Sequence, residues 1–166
     1  MNWFKKSQAQ SMPAPDHITA SILYDERTFY NRFTQDLLEA KEEVVIESPF
    51  ITIPRLRFFK HIFEKLIKRG VKIFIITKNP DEQELGMSEH SEAGIAYFEG
   101  LGAQVLLCEG HHRKLAMIDK NVLWEGSLNI LSQTHSREFM RRIESKKLTQ
   151  EMFKFLKYDK VEFFKK

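Results

Sequence analysis

Residues 71–77, with the sequence VKIFIIT, are almost continuously apolar and rich in β-branched side chains. Because such a strand has no polar face, both of its faces must be covered, as in the parallel sheets of α/β proteins. The preceding residues 54–69 repeat apolar side chains at helical spacing, and Gly70 can end that helix. We therefore expect residues 71–77 to form a central strand of a sheet that has helices on both faces.

The rest of the chain alternates between strand and helix patterns. Further strands are predicted at residues 18–24, 43–51, 103–108, 113–119, 122–126 and 137–143, and further helices at 26–40, 91–99, near 128–134 and at 148–164. The strands at 113–119 and 122–126 form a hairpin that turns at Lys120 and Asn121, and residues 78–90 form a loop. This alternation predicts an α/β/α sandwich around a mixed sheet.

The length and charge of the chain exclude few functions. With 166 residues it is long enough for one domain with a substantial core. A net charge of +3 permits a polyanionic partner without requiring one. The single cysteine, Cys108, cannot form an internal disulfide, and its apolar neighbours in VLLC predict a buried side chain.

The N-terminal residues differ from the rest of the chain. Residues 1–17 are polar and interrupted by Pro13 and Pro15, which predicts a flexible arm ahead of a folded domain at 18–166. These residues lack the apolar core of a secretory signal, and no apolar stretch reaches the length of a membrane span. We expect a cytoplasmic protein without a membrane-spanning helix.

The run from 112 to 129, HRKLAMIDKNVLWEGSLN, concentrates reactive side chains at fixed intervals. Residues two apart in a strand point the same way, so His112 and Lys114 share one side and His111 faces the other. A nucleophilic base beside a cation suits phosphoryl transfer. The alternative is a solvated basic rim at the end of a strand.

Residues further along the same run add donors for phosphate oxygens. Gly126 allows close approach of the backbone to a ligand, and Ser127 and Asn129 bring a hydroxyl and an amide. Asp119 lies at the end of the strand that follows His112. Each residue also has an ordinary structural interpretation, which is a turn for Asp119 and helix capping for Ser127 and Asn129.

This spacing, H-x-K, four residues, D, six residues, then G-S-x-N, resembles the HKD signature of the phospholipase D superfamily. All of its positions are filled, by the residues His112, Lys114, Asp119, Gly126, Ser127 and Asn129. The resemblance extends over the scaffold from about residue 22 to the C-terminus. It includes ESPFI at 47–51 and SREFMRRI at 136–143, and it identifies residues 18–166 as a phospholipase D-like catalytic domain.

The resemblance implies a phosphodiesterase that works without metal or cofactor. His112 would attack phosphorus to form a phosphohistidine, while a second histidine protonates the leaving oxygen. Lys114, with Gly126, Ser127 and Asn129, would bind phosphate oxygens. It also implies that Asp119 orients a histidine and that Glu138 supports it, although Glu138 is equally consistent with a surface charge.

A scheme with two histidines needs a second motif, and the sequence has one. The histidines outside the motif lack a lysine two positions later, and no internal repeat is present. We therefore expect a homodimer whose two-fold symmetry brings two His112 side chains face to face.

The resemblance to short, one-motif members favours a nonspecific endonuclease that cleaves DNA or RNA. A local excess of positive charge after the motif suits a nucleic-acid backbone, and we assign Arg141 and Arg142 to substrate binding. Two alternatives remain, a phospholipid-processing hydrolase or transferase and a nuclease-like module of a larger DNA-processing protein. A zinc site built from His111, His112, His135 and Asp119 is a weaker alternative because no pair has helical ligand spacing.

Overall fold

The computed structural model describes residue 18 and residues 20–165, so the predicted flexible arm at 1–17 lies outside the described residues. The strands are β1 (Ala20–Asp25), β2 (Glu43–Glu47), β3 (Lys72–Lys78), β4 (Gln104–Cys108), β5 (Leu115–Ile118), β6 (Val122–Gly126) and β7 (Phe139–Glu144). The α-helices are α1 (Phe29–Glu39), α2 (Ile53–Lys68), α3 (Leu85–Leu101) and α4 (Lys146–Phe155), and short 3-10 helices cover Pro80–Glu82, Tyr158–Lys160 and Glu162–Lys165.

All these strands join in one mixed sheet with the order β1-β7-β6-β5-β2-β3-β4. The neighbours β2, β3 and β4 run parallel, whereas the pairs β2–β5, β5–β6, β6–β7 and β7–β1 are antiparallel. The predicted mixed sheet and the hairpin of β5 and β6 are therefore confirmed.

The strand β3 is covered on both faces, as its composition predicts, but it is not central. It lies second from the edge, and β5 occupies the middle of the sheet. On the edge strand β4, Cys108 was predicted to be buried but is only half-buried, and Leu107 beside it is exposed. Continuous apolar character reports that a strand is covered, but it does not report the position of that strand in the sheet.

Two layers of helices cover the sheet and confirm the α/β/α sandwich. On the first face, α1, α2 and α3 pack an aromatic-rich core against the sheet, with fully buried Phe29, Phe59 and Trp124. On the second face, α4 and the C-terminal 3-10 helices bring Phe153 and Tyr158 against Phe74, Leu115 and Met117.

Three helix predictions differ from the structure. The helix α3 begins at Leu85, inside the predicted loop at 78–90. The sequence pattern missed its first turns because they are exposed and contain little apolar periodicity. Residues 128–134 form turns rather than a helix, and the backbone amide of Leu131 bonds to Ser48 Oγ instead. The helix α4 ends before Lys157, whose left-handed φ of 60° interrupts the predicted helix at 148–164.

One edge of the sheet collects the segments that matter for the motif. Glu47 at the end of β2 pairs with Leu115 at the start of β5. Gly126 at the end of β6 pairs with Met140 near the start of β7. We call this the motif edge, defined by Glu47, Leu115, Gly126 and Phe139. No helix in the described part of the chain is long and apolar enough to cross a membrane.

Candidate active site

His112 and Lys114 lie at the motif edge, in the segment that leads from β4 into β5. The imidazole of His112 is exposed, whereas that of His111 is buried, although this segment precedes β5 and is not itself a strand. Lys114 Nζ donates a hydrogen bond to the backbone oxygen of His112 at 2.7 Å. This bond keeps the ammonium group beside the residue that carries the exposed imidazole.

Gly126 and Ser127 lie beside Lys114. The amide of Gly126 donates to the backbone oxygen of Lys114 at 3.3 Å, which joins the two halves of the sequence motif. A Cβ atom at Gly126 would collide with the backbone of Phe139 and Met140, so only glycine fits there. Ser127 is bonded to Phe139 through its backbone amide and through its Oγ, which accepts the amide of Phe139 at 3.2 Å.

Asn129 and Glu138 complete the group of motif side chains at this edge. The Oδ1 atom of Asn129 is buried and has no hydrogen-bond partner among the described residues. The carboxylate of Glu138 accepts a hydrogen bond from Ser136 Oγ at 2.8 Å. The backbone amide of Glu138 donates to the carboxylate of Glu26. The side chain of Asn129 therefore has unused hydrogen-bonding capacity next to the motif.

A buried acid that the sequence analysis did not select lies under this segment. Glu47 is 0% exposed, and its Oε2 atom accepts a hydrogen bond from Arg113 Nε at 2.6 Å. His111 Nε2 lies 3.3 Å from the same oxygen. The sequence signals were a charged residue at the end of the apolar strand EVVIE, on the same face as Val45, and its place as the first residue of ESPFI at 47–51.

Burial and charge set the protonation of this buried group. Burial raises the pKa of Glu47, while the hydrogen bond and charge of Arg113 act in the opposite direction. Burial, followed by the positive charges of Arg113, His112 and Lys114, lowers the pKa of His111 to about 4. His111 is therefore neutral near pH 7, unlike a histidine that serves as a cationic phosphate ligand.

Asp119 lies at the other end of β5, which corrects the expectation that it orients a histidine. Seven residues of extended chain separate it from His112, a span of about 23 Å. Its carboxylate accepts hydrogen bonds from the backbone amides of Lys41, Glu42 and Glu43 at 2.9, 2.8 and 3.0 Å. Asp119 thus fastens the segment before β2 to the turn between β5 and β6.

The structure separates the two arginines that we assigned to substrate binding. Arg141 is exposed on the second face of the sheet and donates to Ser21 Oγ. Arg142 is buried on the first face, where it bonds twice to Asp36 and once to Glu144. Because those bonds occupy its guanidinium group, the assignment of Arg142 to substrate binding is wrong, and Arg141 remains a candidate.

The alternative zinc set is not brought together, because Asp119 lies at the far end of β5 from the two adjacent histidines. In the described part of the chain, no group of three or more histidine, cysteine, aspartate or glutamate side chains is arranged to hold a metal ion.

A known protein family matches the part of the chain that contains the motif. Residues 33–160 match a family model described as cardiolipin synthase, PLD-like domain. The match covers all the motif residues from His112 to Asn129 and the buried Glu47. No curated protein matches the sequence closely enough to count as a relative.

Solved structures share the fold at low sequence identity. Nuc from Salmonella typhimurium, a phospholipase D family member, superimposes with a TM-score of 0.67 at 16% identity, covering 82% of this chain and 90% of Nuc. NucT from Helicobacter pylori gives 0.66 at 18% identity, covering 82% of this chain and 92% of NucT. Phosphatidylserine synthase from Haemophilus influenzae Rd KW20 gives 0.59 at 14% identity, covering 78% of this chain but 35% of the synthase.

Proposed function

Because the chain belongs to the PLD-like domain family of phosphodiesterases, we propose that it is a metal-independent nuclease that cleaves DNA or RNA. The observation that carries this proposal is the grouping at the motif edge of an exposed His112, a lysine bonded to its backbone, and the Gly126-Ser127 turn. This grouping combines a nucleophile, a cation and phosphate donors, which is what phosphodiester cleavage requires.

In the proposed reaction, an imidazole nitrogen of His112 forms a bond to phosphorus. The bond from phosphorus to the leaving oxygen breaks, and that oxygen takes a proton from a second histidine. The second histidine then removes a proton from water, whose oxygen attacks phosphorus and breaks the bond to His112. Lys114 and Asn129 hold the non-bridging oxygens, and the unused Oδ1 of Asn129 leaves its amide free to reorient toward substrate.

Ser127 and Glu138 have supporting roles in this proposal. Ser127 Oγ already accepts the amide of Phe139, so its hydroxyl hydrogen is the group available to a phosphate oxygen. Glu138 is held by Ser136 at the start of β7, from where its carboxylate can orient an imidazole of the assembled site.

The second histidine comes from a second copy of the chain in our proposal. Of the other described histidines, His61 and His90 lie on helices, and buried His111 has a pKa lowered to about 4. Such a histidine is a poor proton donor at neutral pH. His135 is exposed in the loop before β7, and it serves below as the test of a one-chain site.

An open part of the sheet beside the motif suits this second copy. On the second face, Leu23 and Phe139 are 57% and 54% exposed, and they flank Arg141, whose cross-strand neighbour is Glu125. A two-fold axis can pack Leu23 and Phe139 of one copy against the same residues of the other. Because Phe139 is bonded to Ser127, this surface continues directly into the candidate active site.

The choice of nucleic acid over lipid rests on charge and architecture. Arg137 and Arg141 are exposed near the motif edge, where a polyanionic backbone would pass. The chain also aligns with nearly the whole length of the short Nuc and NucT, but with about a third of the phosphatidylserine synthase. Contacts to phosphates alone carry no base information, so we expect little sequence specificity.

The test is cleavage in EDTA. Supercoiled plasmid, single-stranded DNA, RNA and vesicles with labelled phospholipid are incubated with the wild type, His112→Ala and His135→Ala. We expect EDTA-resistant nucleic-acid cleavage that is lost in His112→Ala and retained in His135→Ala. A labelled phosphate trapped on His112 after acid-free quenching would identify the intermediate.

Each alternative predicts a different outcome. Activity that requires an added divalent cation contradicts the phosphohistidine mechanism. Lipid turnover without nucleic-acid cleavage supports the phospholipid enzyme, and loss of activity in His135→Ala supports a site completed within one chain.

A further inference from the structure

The segment that carries His112 has little support from the backbone of the sheet. Residues 109–114 connect β4 to β5 outside regular strands. Among the described residues, the backbone groups of 111–113 form no hydrogen bond to another backbone group. A nucleophile must nevertheless be held to within a fraction of an ångström for efficient attack. Some other interaction has to position this segment.

Glu47 contacts the residues on both sides of His112. Its Oε2 atom accepts the hydrogen bond from Arg113 at 2.6 Å and lies 3.3 Å from Nε2 of His111. The register between β2 and β5, in which Glu47 pairs with Leu115, places this carboxylate at the start of β5. This buried oxygen thus bonds the residue after His112 to the sheet and lies against the residue before it, since His111 Nε2 has no hydrogen-bond partner among the described residues.

A second carboxylate holds the beginning of the same segment. Glu82, from the short helix Pro80–Glu82, accepts the backbone amide of Gly110 at 2.9 Å, and Gly110 has a positive φ of 61°. Arg113 Nη2 donates a hydrogen bond to the hydroxyl of buried Tyr158 at 3.5 Å. The segment is therefore fastened by side chains at both ends, while the imidazole of His112 is exposed.

A contribution to stability alone does not explain why Glu47 is buried. A fully buried carboxylate loses its hydration, and this cost can exceed the attraction of its partner. Glu47 is fully buried, and its Oε1 atom has no hydrogen-bond partner among the described residues. This costly arrangement lies next to the candidate nucleophile, where a fixed geometry has a function.

We infer that Glu47 is a positioning residue, which holds Arg113 through its hydrogen bond and packs against His111, so that the imidazole of His112 points into the site. The inference rests on the proposed function, in which His112 is the nucleophile. The geometric part of it, that Glu47 orders residues 110–114, stands independently of any substrate.

The experiment compares Glu47→Gln with the matched control Glu43→Gln. Glu43 lies on the same strand and the same face, but its partner is Lys120 at the opposite end of the sheet. In Glu47→Gln we expect kcat to fall roughly 10- to 100-fold with KM little changed, because substrate still binds to a misplaced nucleophile. Glu43→Gln should retain the wild-type kcat.

Amide hydrogen exchange provides a readout that does not depend on activity. Exchange at Gly110, whose amide bonds to Glu82, and at Gly126, whose amide bonds to Lys114, should become faster in Glu47→Gln, while exchange at Phe74 and Ile75 in β3 stays slow. If the wild type cleaves no phosphodiester but this local change occurs, the proposed function fails and the anchoring by Glu47 stands. If kcat and local exchange are both unchanged, the inference is wrong.

The variant Arg113→Gln tests the same anchor from the surface, where failure to fold is less of a concern. Arg113 is half exposed, and its loss also releases the segment from Glu47. We expect faster exchange at Gly110 and Gly126 and a lower kcat. A uniform loss of protection across the whole sheet, in both variants, would show that Glu47 serves only stability and would overturn the inference.

Discussion

The carboxylate of Asp119 and the imidazole of His112 lie at opposite ends of β5, and Asp119 binds three consecutive backbone amides instead of a histidine. The two residues belong to one sequence motif, but their side chains do not contact the same groups. At the His112 end the chain presents a reactive group. At the Asp119 end it joins the segment before β2 to the turn between β5 and β6.

This relationship predicts that Asp119→Asn weakens folding but spares catalysis. Asparagine tolerates the positive φ of 51° at this position, so the turn itself is retained. Loss of the charge and of one acceptor oxygen should lower the free energy of unfolding by about 1–3 kcal/mol. Urea denaturation measures the loss, with the exposed Asp159→Asn as the control. A folded variant with greatly reduced kcat would contradict this prediction and would mean that Asp119 takes part in catalysis.

The same substitution at the two adjacent arginines of β7 should have different effects on the free energy of unfolding. Arg142→Met leaves Asp36 buried without its partner, so we expect a loss of about 3–5 kcal/mol in the free energy of unfolding. Arg141→Met should leave stability nearly unchanged, because its side chain is exposed.

Arg141→Met should instead weaken nucleic-acid binding. We expect a higher KM and a salt dependence of binding reduced by about one unit in log–log slope, as for the loss of one phosphate contact. Fluorescence anisotropy with a labelled oligonucleotide at several salt concentrations measures this slope. An unchanged slope would mean that Arg141 does not contact phosphate.

His111 should make the fold sensitive to acid. Its pKa is lowered to about 4 in the folded protein, from an ordinary value of 6.5. Between those values the unfolded chain binds more protons, so stability is full above pH 6.5 and falls as the pH decreases toward 4. Glu47 opposes this trend, because its raised pKa contributes stability that is lost as pH rises.

The contribution of His111 is isolated by comparing the wild type with His111→Gln. Urea denaturation at several values between pH 7 and pH 4 should show a steeper loss in the wild type than in the variant. Parallel curves for the two proteins would contradict the lowered pKa of His111.

A shared site predicts a specific result when active and inactive chains are mixed. If each site needs His112 from both copies, equal amounts of wild type and His112→Ala, mixed by co-expression, retain about one quarter of the activity. Sites that work within one chain retain about one half. Activity assays on the co-purified mixture, normalised to total protein, distinguish the two outcomes.

The surface that we propose to lie between two copies is tested with two matched leucines. Leu23→Asp should convert the dimer to a monomer and reduce activity, because it buries a charge between the copies. Leu107→Asp, on the exposed edge strand β4, should change neither property. Sedimentation velocity measures the oligomeric state, and a dimer that survives Leu23→Asp would move the interface elsewhere.

Local patterns predicted most elements of this fold. The apolar runs identified the strands, and helical periodicity identified α1 and α2, because both signals depend on residues close together in sequence. The helix α3 was only partly predicted, since Gly86, Gly94 and Gly100 interrupt its pattern and Leu85 is exposed. At Gly94 glycine is required by packing, because a Cβ atom there would collide with Ile51.

The sequence by itself determined which reactive groups the chain carries and that His112 and Lys114 lie together, because they are only two residues apart in the chain. Only the tertiary structure decided the roles of Asp119, Arg142 and Glu47. Their partners lie 76 to 78, 106 and 66 residues away along the chain. The order and register of the strands bring those partners together, and strand order is set by packing of the whole sheet between its two helical layers rather than by any local pattern.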